Sequence, residues 1–352
     1  MACIVAVGTS VPEHRIEQVE ARVVAERLFG ATPDRKDLIE KIFDNAQVRT
    51  RYSAAPPTWF TAPHPFSEKN ALFRDSARRL CANAIRACLS SAGLETRDID
   101  HLVVVTTTGV ATPSLDALLI NDLALRRDVV RTPIWGLGCA GGIGGLARAA
   151  DFAVARPKSR IVVVAFEACT LTFLAEDESR QNLIAMSLFG DGAAAVLVAG
   201  DQAGLPGPSI VAHTGITWPD TLDVMGWEFV EKGFKVVLSK AIPVIVRNHI
   251  RGMTDDFLNN NGLDRTAVEH YITHPGGPRV IEAYREALGL SEEQVGHTRT
   301  VLREYGNMSS PTVLFIMKRF MDQLKDAGDA FGLASAMGPG FSAEMLLLRW
   351  PQ

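Results

Sequence analysis

Three residues able to do acyl chemistry stand in turns: Cys139 in WGLGCAGGIGG (135–145), His274 in HYITHPGGPRV (270–280) and Asn307 in REYGNMSSPT (303–312). Cys139 follows a predicted strand and precedes a helix-forming stretch, so the partial positive charge of a helix N-terminus would favour its thiolate. The glycines around it leave the backbone bare, which would let a bulky acyl group approach and let an N–H meet an oxyanion. His274 leaves a strand end into Pro275 and two glycines, where a neutral imidazole can take a thiol proton or donate to a carbonyl oxygen. Asn307 opens a predicted helix and offers an amide donor. Taken singly, each also fits a plain structural role: a cysteine at a tight packing contact, a satisfied turn histidine, and a helix cap with Ser309, Ser310 and Pro311 as the helix start.

The elements that must position these turns read as α/β. Short apolar runs at 3–8, 101–109, 160–168, 193–200, 209–218, 270–275 and 345–350 alternate with amphipathic stretches such as 74–93 and 281–290. Internal similarity organises them. GLETRDIDHLVVVTTTG (93–109) resembles GLDRTAVEHYITHPGG (262–277), aligning His101 with His270 in what read as structural positions. LGCAGGIGGLARAADF resembles YGNMSSPTVLFIMKRF, aligning Cys139 with Asn307; they lie 46 and 45 residues beyond Gly93 and Gly262. FGDGAAAVLVA (189–199) resembles MGPGFSAEMLL (337–347). A duplication follows, with an N-terminal half at 1–205 carrying the cysteine and a C-terminal half at 206–352 carrying the histidine and asparagine. The first half is longer between its second and third blocks, so roughly 167–189 reads as an insertion.

Composition narrows the function class. The chain has 352 residues, 47% hydrophobic and 22% charged, with a net charge of −4; that balance argues against general binding to nucleic acid or a membrane surface. No apolar run reaches the roughly 18 residues of a membrane span. The five cysteines have no CxxC spacing, Cys81 and Cys88 read as core, and no export signal is evident, so a reduced, cytoplasmic, soluble protein is expected.

Cysteine, histidine and asparagine brought together supply a nucleophile and two hydrogen-bond donors, without a carboxylate base or a metal-ligand set. Donors aimed at an oxygen stabilise a thioester enolate that decarboxylation itself generates, the logic of decarboxylative Claisen condensation. A cysteine hydrolase or thioesterase is the alternative of another class, because papain-like proteases run Cys, His, Asn in the same chain order. A non-catalytic acyl-binding protein would be expected to lose one of the three residues.

The chain resembles type III polyketide synthases, the chalcone-synthase-like branch of the thiolase superfamily, over essentially its whole length. GCAGG at Cys139, LFGDGAAAV at Phe189, HPGG at His274, GNMSSPT at Asn307 and GPGFSAE at 338–344 carry the resemblance. The closest rival with the same fold is a ketoacyl-ACP synthase III-like enzyme performing one condensation. The resemblance implies a homodimer of five-layered αβαβα thiolase-fold subunits. It makes Cys139 the acyl-accepting nucleophile, with His274 and Asn307 assisting loading, decarboxylation and condensation. Phe189 corresponds to the gatekeeper phenylalanine, while a second family phenylalanine is Val236 here. Cys169 and Thr172 fall where the family lines its cavity with threonines, Gly226 at a position governing cavity volume, and Ser309 beside the asparagine. Thr112 matches the residue projected across the dimer into the partner's cavity. Lys41 falls on a basic CoA contact, another such position is Asn45, and Arg49 and Arg51 are nearby candidates. Small residues and the missing phenylalanine look similar to bacterial enzymes that extend long-chain acyl-CoA starters with malonyl-CoA into alkylpyrones or alkylresorcinols. No cofactor is implied beyond the CoA thioester substrates.

Overall fold

The computed structural model describes residues 1–324 and 328–350. Its strands, in chain order, are β1 (Ala2–Ser10), β2 (His14–Glu17), β3 (Thr50–Ser53), β4 (His101–Thr106), β5 (Val130–Trp135), β6 (Arg160–Ala168) and β7 (Asp191–Gly200). The remainder are β8 (Ser209–Thr217), β9 (Met225–Val230), β10 (Gly233–Leu238), β11 (Val268–Thr273), β12 (Ala330–Gly338) and β13 (Ser342–Trp350). Nine of them form one sheet in the order β11-β12-β13-β8-β1-β7-β6-β4-β5; β2 and β3 pair as a separate two-stranded sheet, and β9–β10 form a hairpin.

The duplication is visible in the pairing. β4 runs parallel to β6, β6 antiparallel to β7, and β7 antiparallel to β1. In the same sequence β11 runs parallel to β12, β12 antiparallel to β13, and β13 antiparallel to β8. The two sets meet where β1 touches β8 through only Ala2↔Ile210 and Cys3↔Ser209. β5 has no counterpart and forms the outer edge beside β4.

Period-two alternation sorts the strands' apolar residues into layers. Val103, Val105, Val163, Ala194, Val196, Leu346 and Leu348 face a central core shared with the Gly141–Ala155 and Ser310–Gln323 helices. Their neighbours Leu102, Val104, Val162, Val164 and Leu197 face the long Phe66–Ser91 helix. Met345, Leu347 and Leu333 face the Ile242–Asn259 and Pro278–Leu288 helices. The order helix, sheet, helix pair, sheet, helix pair is the five-layered thiolase fold. Cys81 and Cys88 lie on the buried face of the long helix, and His101 is tied to Thr132 Oγ1 (2.8 Å), so both readings as framework hold.

Two features differ from the sequence reading. β12, AFGLASAMG, is fully paired although its alanines, glycines and serine carry little strand propensity. The β9–β10 hairpin was not expected either, and it supplies one wall of the site. The anticipated insertion is present: residues 169–190 join β6 to β7 and contain the Arg180–Leu188 helix, whereas 339–341 suffice between β12 and β13.

Candidate active site

The pseudo-symmetry puts the Cys139 turn and the Asn307 turn at the N-termini of the two central helices. Cys139 sits in a single 3-10 turn, Gly138–Ala140, ahead of the Gly141–Ala155 helix. The glycine run has a different purpose from the one its sequence suggests. A Cβ on Gly142 would lie 2.4 Å from the Ser310 carbonyl oxygen, and one on Gly141 2.6 Å from Val105 Cγ1. One on Gly145 would meet Val105 and Val163 at 2.9 and 3.0 Å. These side chains are missing so that the two central helices and the sheet can close together, not so that substrate can enter. Gly138, at φ +50 and 2.5 Å from Pro339 Cδ in the same sense, makes the turn that presents the sulfur.

Cys139 keeps partial exposure, yet its low-dielectric surroundings push its thiol up to about 11. Hydrogen bonding from Ser309 and Asn307 opposes this, while the buried Glu167 carboxylate adds to it. Burial thus acts on the thiol in the opposite sense to the helix end, whose partial positive charge favours the thiolate.

Asn307 is fixed by its backbone and its amide together. Its N–H donates to the Leu188 carbonyl (2.7 Å), and its own carbonyl accepts from the Gly190 N–H (3.0 Å), forming a parallel bridge between Phe189 and Asn307. Nδ2 donates to the Gly276 carbonyl (2.8 Å), and Oδ1 accepts from the Ser309 N–H (2.7 Å). Gly306 must be glycine: it has φ +69, and a Cβ would sit 2.6 Å from the Leu188 carbonyl. The 307 amide thus reaches the histidine turn at Gly276, two residues past His274.

His274 is buried, and neither ring nitrogen has a partner among the described residues. Its backbone N–H is held by the Ser335 carbonyl (2.9 Å) at the end of β11. Burial alone lowers the imidazole to about 3, so it is neutral, with both nitrogens available to an incoming group.

Beside Phe189 lies a chamber with a cavity volume of about 50 Å³, open on one side to solvent. Cys169, Thr172 and Val236 line it with Phe189, and Ile16, Val24, Phe60, Phe173 and Met186 continue its apolar wall. Thr172 Oγ1 donates to the Cys169 carbonyl (2.6 Å).

Several expected positions need revision. In the β9–β10 register Trp227 faces Val236 and Gly226 faces Val237, so Gly226 points to the opposite side of the hairpin from the chamber residue Val236. Nothing lies within 4 Å of its missing side chain. The hairpin residue that reaches Phe189 is Trp227, with the two rings 6.0 Å apart. Arg51 is not on a CoA rim. It is 2% exposed, and its guanidinium donates to Phe189 O (3.0 Å), Met186 O (2.6 Å), Ser187 O (2.8 Å) and Gln18 Oε1. With Asp191 as counter-charge it clamps the segment leading to Phe189. Lys41 and Arg49 are exposed on the surface, and Thr112 is exposed on the loop after β4, away from the chamber of its own chain.

Sequence reasoning missed Glu167. Fully buried on β6, it accepts from the N–H groups of Thr107 (3.0 Å) and Thr108 (2.9 Å), from Thr108 Oγ1 (2.7 Å) and from Ser310 Oγ (2.9 Å). Burial lifts it to about 7. A lone charged residue inside an apolar run, VVVAFEA, was the available signal, because an acid there must be either paired or functional.

Comparison with known proteins places this site in context. Family models for chalcone and stilbene synthases match residues 1–202 with the N-terminal domain and 210–350 with the C-terminal domain. A 1,3,6,8-tetrahydroxynaphthalene synthase of Streptomyces peucetius subsp. caesius is 38% identical over 99% of this chain and 93% of its own. The crystal structure of the Streptomyces coelicolor A3(2) 1,3,6,8-tetrahydroxynaphthalene synthase, a bacterial type III polyketide synthase, superposes with a TM-score of 0.94 at 30% identity, covering 99% of both chains. CsyB complexed with CoA superposes with a TM-score of 0.92 at 25% identity, covering 100% of each.

Proposed function

Starting from the premise that this chain belongs to the chalcone and stilbene synthase family of type III polyketide synthases, we propose that it extends a long-chain acyl-CoA starter with malonyl-CoA and cyclises the product to an alkylpyrone or alkylresorcinol. One observation carries the chemistry. Asn307 opens the helix packed beside the cysteine's helix and donates its amide to the Gly276 carbonyl in the histidine turn, near a buried His274 whose ring nitrogens have no partner among the described residues.

In this reading Cys139 gives its proton to His274 and attacks the starter thioester carbonyl. The carbon–sulfur bond to CoA breaks, and the departing CoA thiolate takes the proton back from the imidazolium. Malonyl-CoA then loses CO2, and the enolate oxygen is held by His274 and Asn307, two donors in a partly dry site. The enolate carbon attacks the acyl-enzyme, a carbon–carbon bond forms and Cys139 leaves as thiolate. Repetition and a final lactonisation or aldol closure release the ring. Phe189 gates the chamber, and the apolar wall from Val236 to Phe173 takes the starter's chain. Exposed Lys41 and Arg49 contact the CoA phosphates. No cofactor is drawn on beyond the thioesters, and the five free cysteines suit the cytoplasm.

The same reading makes the enzyme a homodimer. β5 is an edge strand with alternating exposure, bearing Arg131 and Trp135 outward, an open template for a second copy. Thr112 on the neighbouring loop then reaches the partner's chamber.

A second reading of the starter is favoured by Trp227. An indole against Phe189 narrows the hairpin side of the gate, which suits a small starter such as a malonyl unit itself and a polyhydroxylated aromatic product. Incubating the protein with malonyl-CoA and a panel of acyl-CoA primers, with mass analysis of protein and products, tests both. The leading reading requires a long-chain acyl adduct on Cys139, absent in Cys139→Ala, and alkylated products. Products from malonyl-CoA alone and no long-chain adduct would replace it with the second.

A further inference from the structure

A helix leaves its last carbonyls without partners inside the helix, and at the end of the Arg180–Leu188 helix different parts of the chain take them up. The Ala185 carbonyl accepts from the Phe189 N–H (2.8 Å). Those of Met186 and Ser187, and that of Phe189 beyond them, accept from the Arg51 guanidinium at 2.6, 2.8 and 3.0 Å. The Leu188 carbonyl accepts from the Asn307 N–H (2.7 Å). Arg51 therefore holds the carbonyls on either side of the one to which Asn307 is attached. A buried cation at this end also suits the negative pole of the helix dipole.

Arg51 belongs to β3, and β3 grips the asparagine turn as well. The Arg49 N–H, just ahead of the strand, donates to the Arg303 carbonyl (2.7 Å), and Thr50 Oγ1 donates to the Glu304 carbonyl (2.7 Å). Tyr52 stacks on Tyr305 with ring centres 5.8 Å apart. Strand alternation sends residues 50 and 52 to the end of the Gly296–Tyr305 helix and residue 51 to the segment before Phe189. Past the strand, the Ala54 N–H donates to Asp191 (2.8 Å), so that segment is tied down on both sides of Phe189. The pieces are close: a Cβ on Gly190 would lie 2.4 Å from the Tyr305 carbonyl oxygen and 3.3 Å from Arg51 Cβ.

We propose that Arg51 is a positioning residue for Asn307 and that β3 is the clasp through which it acts. The guanidinium fixes the Leu188 carbonyl by holding its neighbours. That carbonyl and the Gly190 N–H then fix the asparagine backbone, while Thr50 and Tyr52 hold the residues leading into it. The inference rests on Asn307 donating to the enolate and deepens that reading. It turns VRTRY (48–52), a stretch that resembles a CoA contact, into the element that sets where the donor stands.

The test loosens each side of the clasp in turn. Arg51→Lys keeps a cation but loses the planar fork that serves three carbonyls; Thr50→Val keeps the side chain's shape and removes its donor. Two steps are compared, because in the proposed reaction loading draws on Cys139 and His274, whereas enolate formation draws on Asn307. CO2 release from malonyl-CoA should fall about tenfold in Arg51→Lys and about threefold in Thr50→Val, in kcat rather than KM. Formation of the acyl adduct on Cys139 should fall by less than about twofold. Hydrogen exchange read by peptide mass needs no turnover, and both variants should exchange faster at the amides of 188–190 and 306–309. Should Arg51→Lys fail to fold, Thr50→Val decides. Equal losses in both steps would make Arg51 a residue of stability alone and overturn the assignment, as would wild-type CO2 release or wild-type exchange in the folded variants. A wild-type protein that neither loads nor decarboxylates sinks the functional reading, and the exchange rates still decide the clasp.

Discussion

Gly142 offers the sharpest test of why the cysteine is surrounded by glycine. If the bare backbone serves substrate entry, one added methyl should chiefly affect binding of large acyl groups. The packing says otherwise. A Cβ at 142 would stand 2.4 Å from the Ser310 carbonyl oxygen and 2.9 Å from Val313 Cγ1, whereas ordinary contact begins near 3.4 Å. Gly142→Ala therefore requires the two central helices to part locally by about 1 Å. Overpacking a closed core costs about 1–3 kcal/mol, partly offset by the better helix propensity of alanine, about 0.5–1 kcal/mol. With an unfolding entropy near 2.1 cal/mol/K per residue, a chain of 352 residues loses about 1.4 °C of Tm per kcal/mol, so a net fall of about 1–3 °C is expected. The functional loss should be larger, because Cys139 lies three residues before one helix contact and Asn307 three before the other. A misplacement of about 1 Å between reacting groups lowers rates by roughly a hundredfold. Calorimetry and the rate of acyl-adduct formation by mass spectrometry measure the two effects, with Gly226→Ala, whose Cβ meets nothing within 4 Å, as the neutral control. A Gly142→Ala protein that melts with wild type and loads medium-length acyl groups at full rate would refute the packing account.

Other consequences follow from the buried charges. Glu167, lifted from 4.5 to about 7, binds more protons folded than unfolded between those values. Stability should therefore decline as pH rises across that window, by roughly 3 kcal/mol in all, and urea unfolding of Glu167→Gln at pH 5 and 7.5 should lose that slope. His274, lowered from 6.5 to about 3, has the opposite sign. The unfolded chain takes the extra proton, so stability drops as pH falls from about 6.5 toward 3, and His274→Gln should flatten the acid limb of a denaturation series. Arg51→Met should lower Tm by about 4–7 °C, the effect of about 3–5 kcal/mol from leaving Asp191 and three carbonyls uncompensated. An unchanged Tm with a raised KM for acyl-CoA would instead return Arg51 to the CoA rim.

What could be read from the chain was the framework and its symmetry. Strands with strong apolar signatures, such as HLVVVT and RIVVVAFEA, sit where their patterns put them, and the aligned Cys139 and Asn307 turns do open the two central helices. What could not be read depended on register and on closeness. AFGLASAMG carries no β-branched residue, so β12 is a strand because β11 and β13 flank it, not because of its own preferences. The identity of the hairpin residue at the gate turned on a single step of pairing: with Trp227 opposite Val236, the neighbouring Gly226 is on the wrong face, and a one-residue slip inverts the conclusion. Arg51 looked like a surface cation because its neighbours Arg49 and Tyr52 lie in a polar stretch. Only the converging carbonyls of 186–189 show why it is inside. The glycine run was legible as a special backbone, but whether substrate or a second helix occupies the vacated space is a three-dimensional fact.

Desolvation governs how charge can form in this site. It pushes the thiol up and the imidazole down. Charge can appear on sulfur only if something compensates at the moment it forms, and in a buried site that compensation has to come from dipoles already in position rather than from water. Beside the cysteine turn, Ser309 and Asn307 are held by each other and by Gly276 through bonds of 2.7–2.8 Å. In the proposed reaction Asn307 turns its Nδ2 to an enolate oxygen while the Ser309 N–H anchors its Oδ1. A carboxamide, which does not ionise, occupies the place opposite the cysteine in the duplicated fold. A carboxylate there would repeat the effect of Glu167 and drive the thiol further from ionisation.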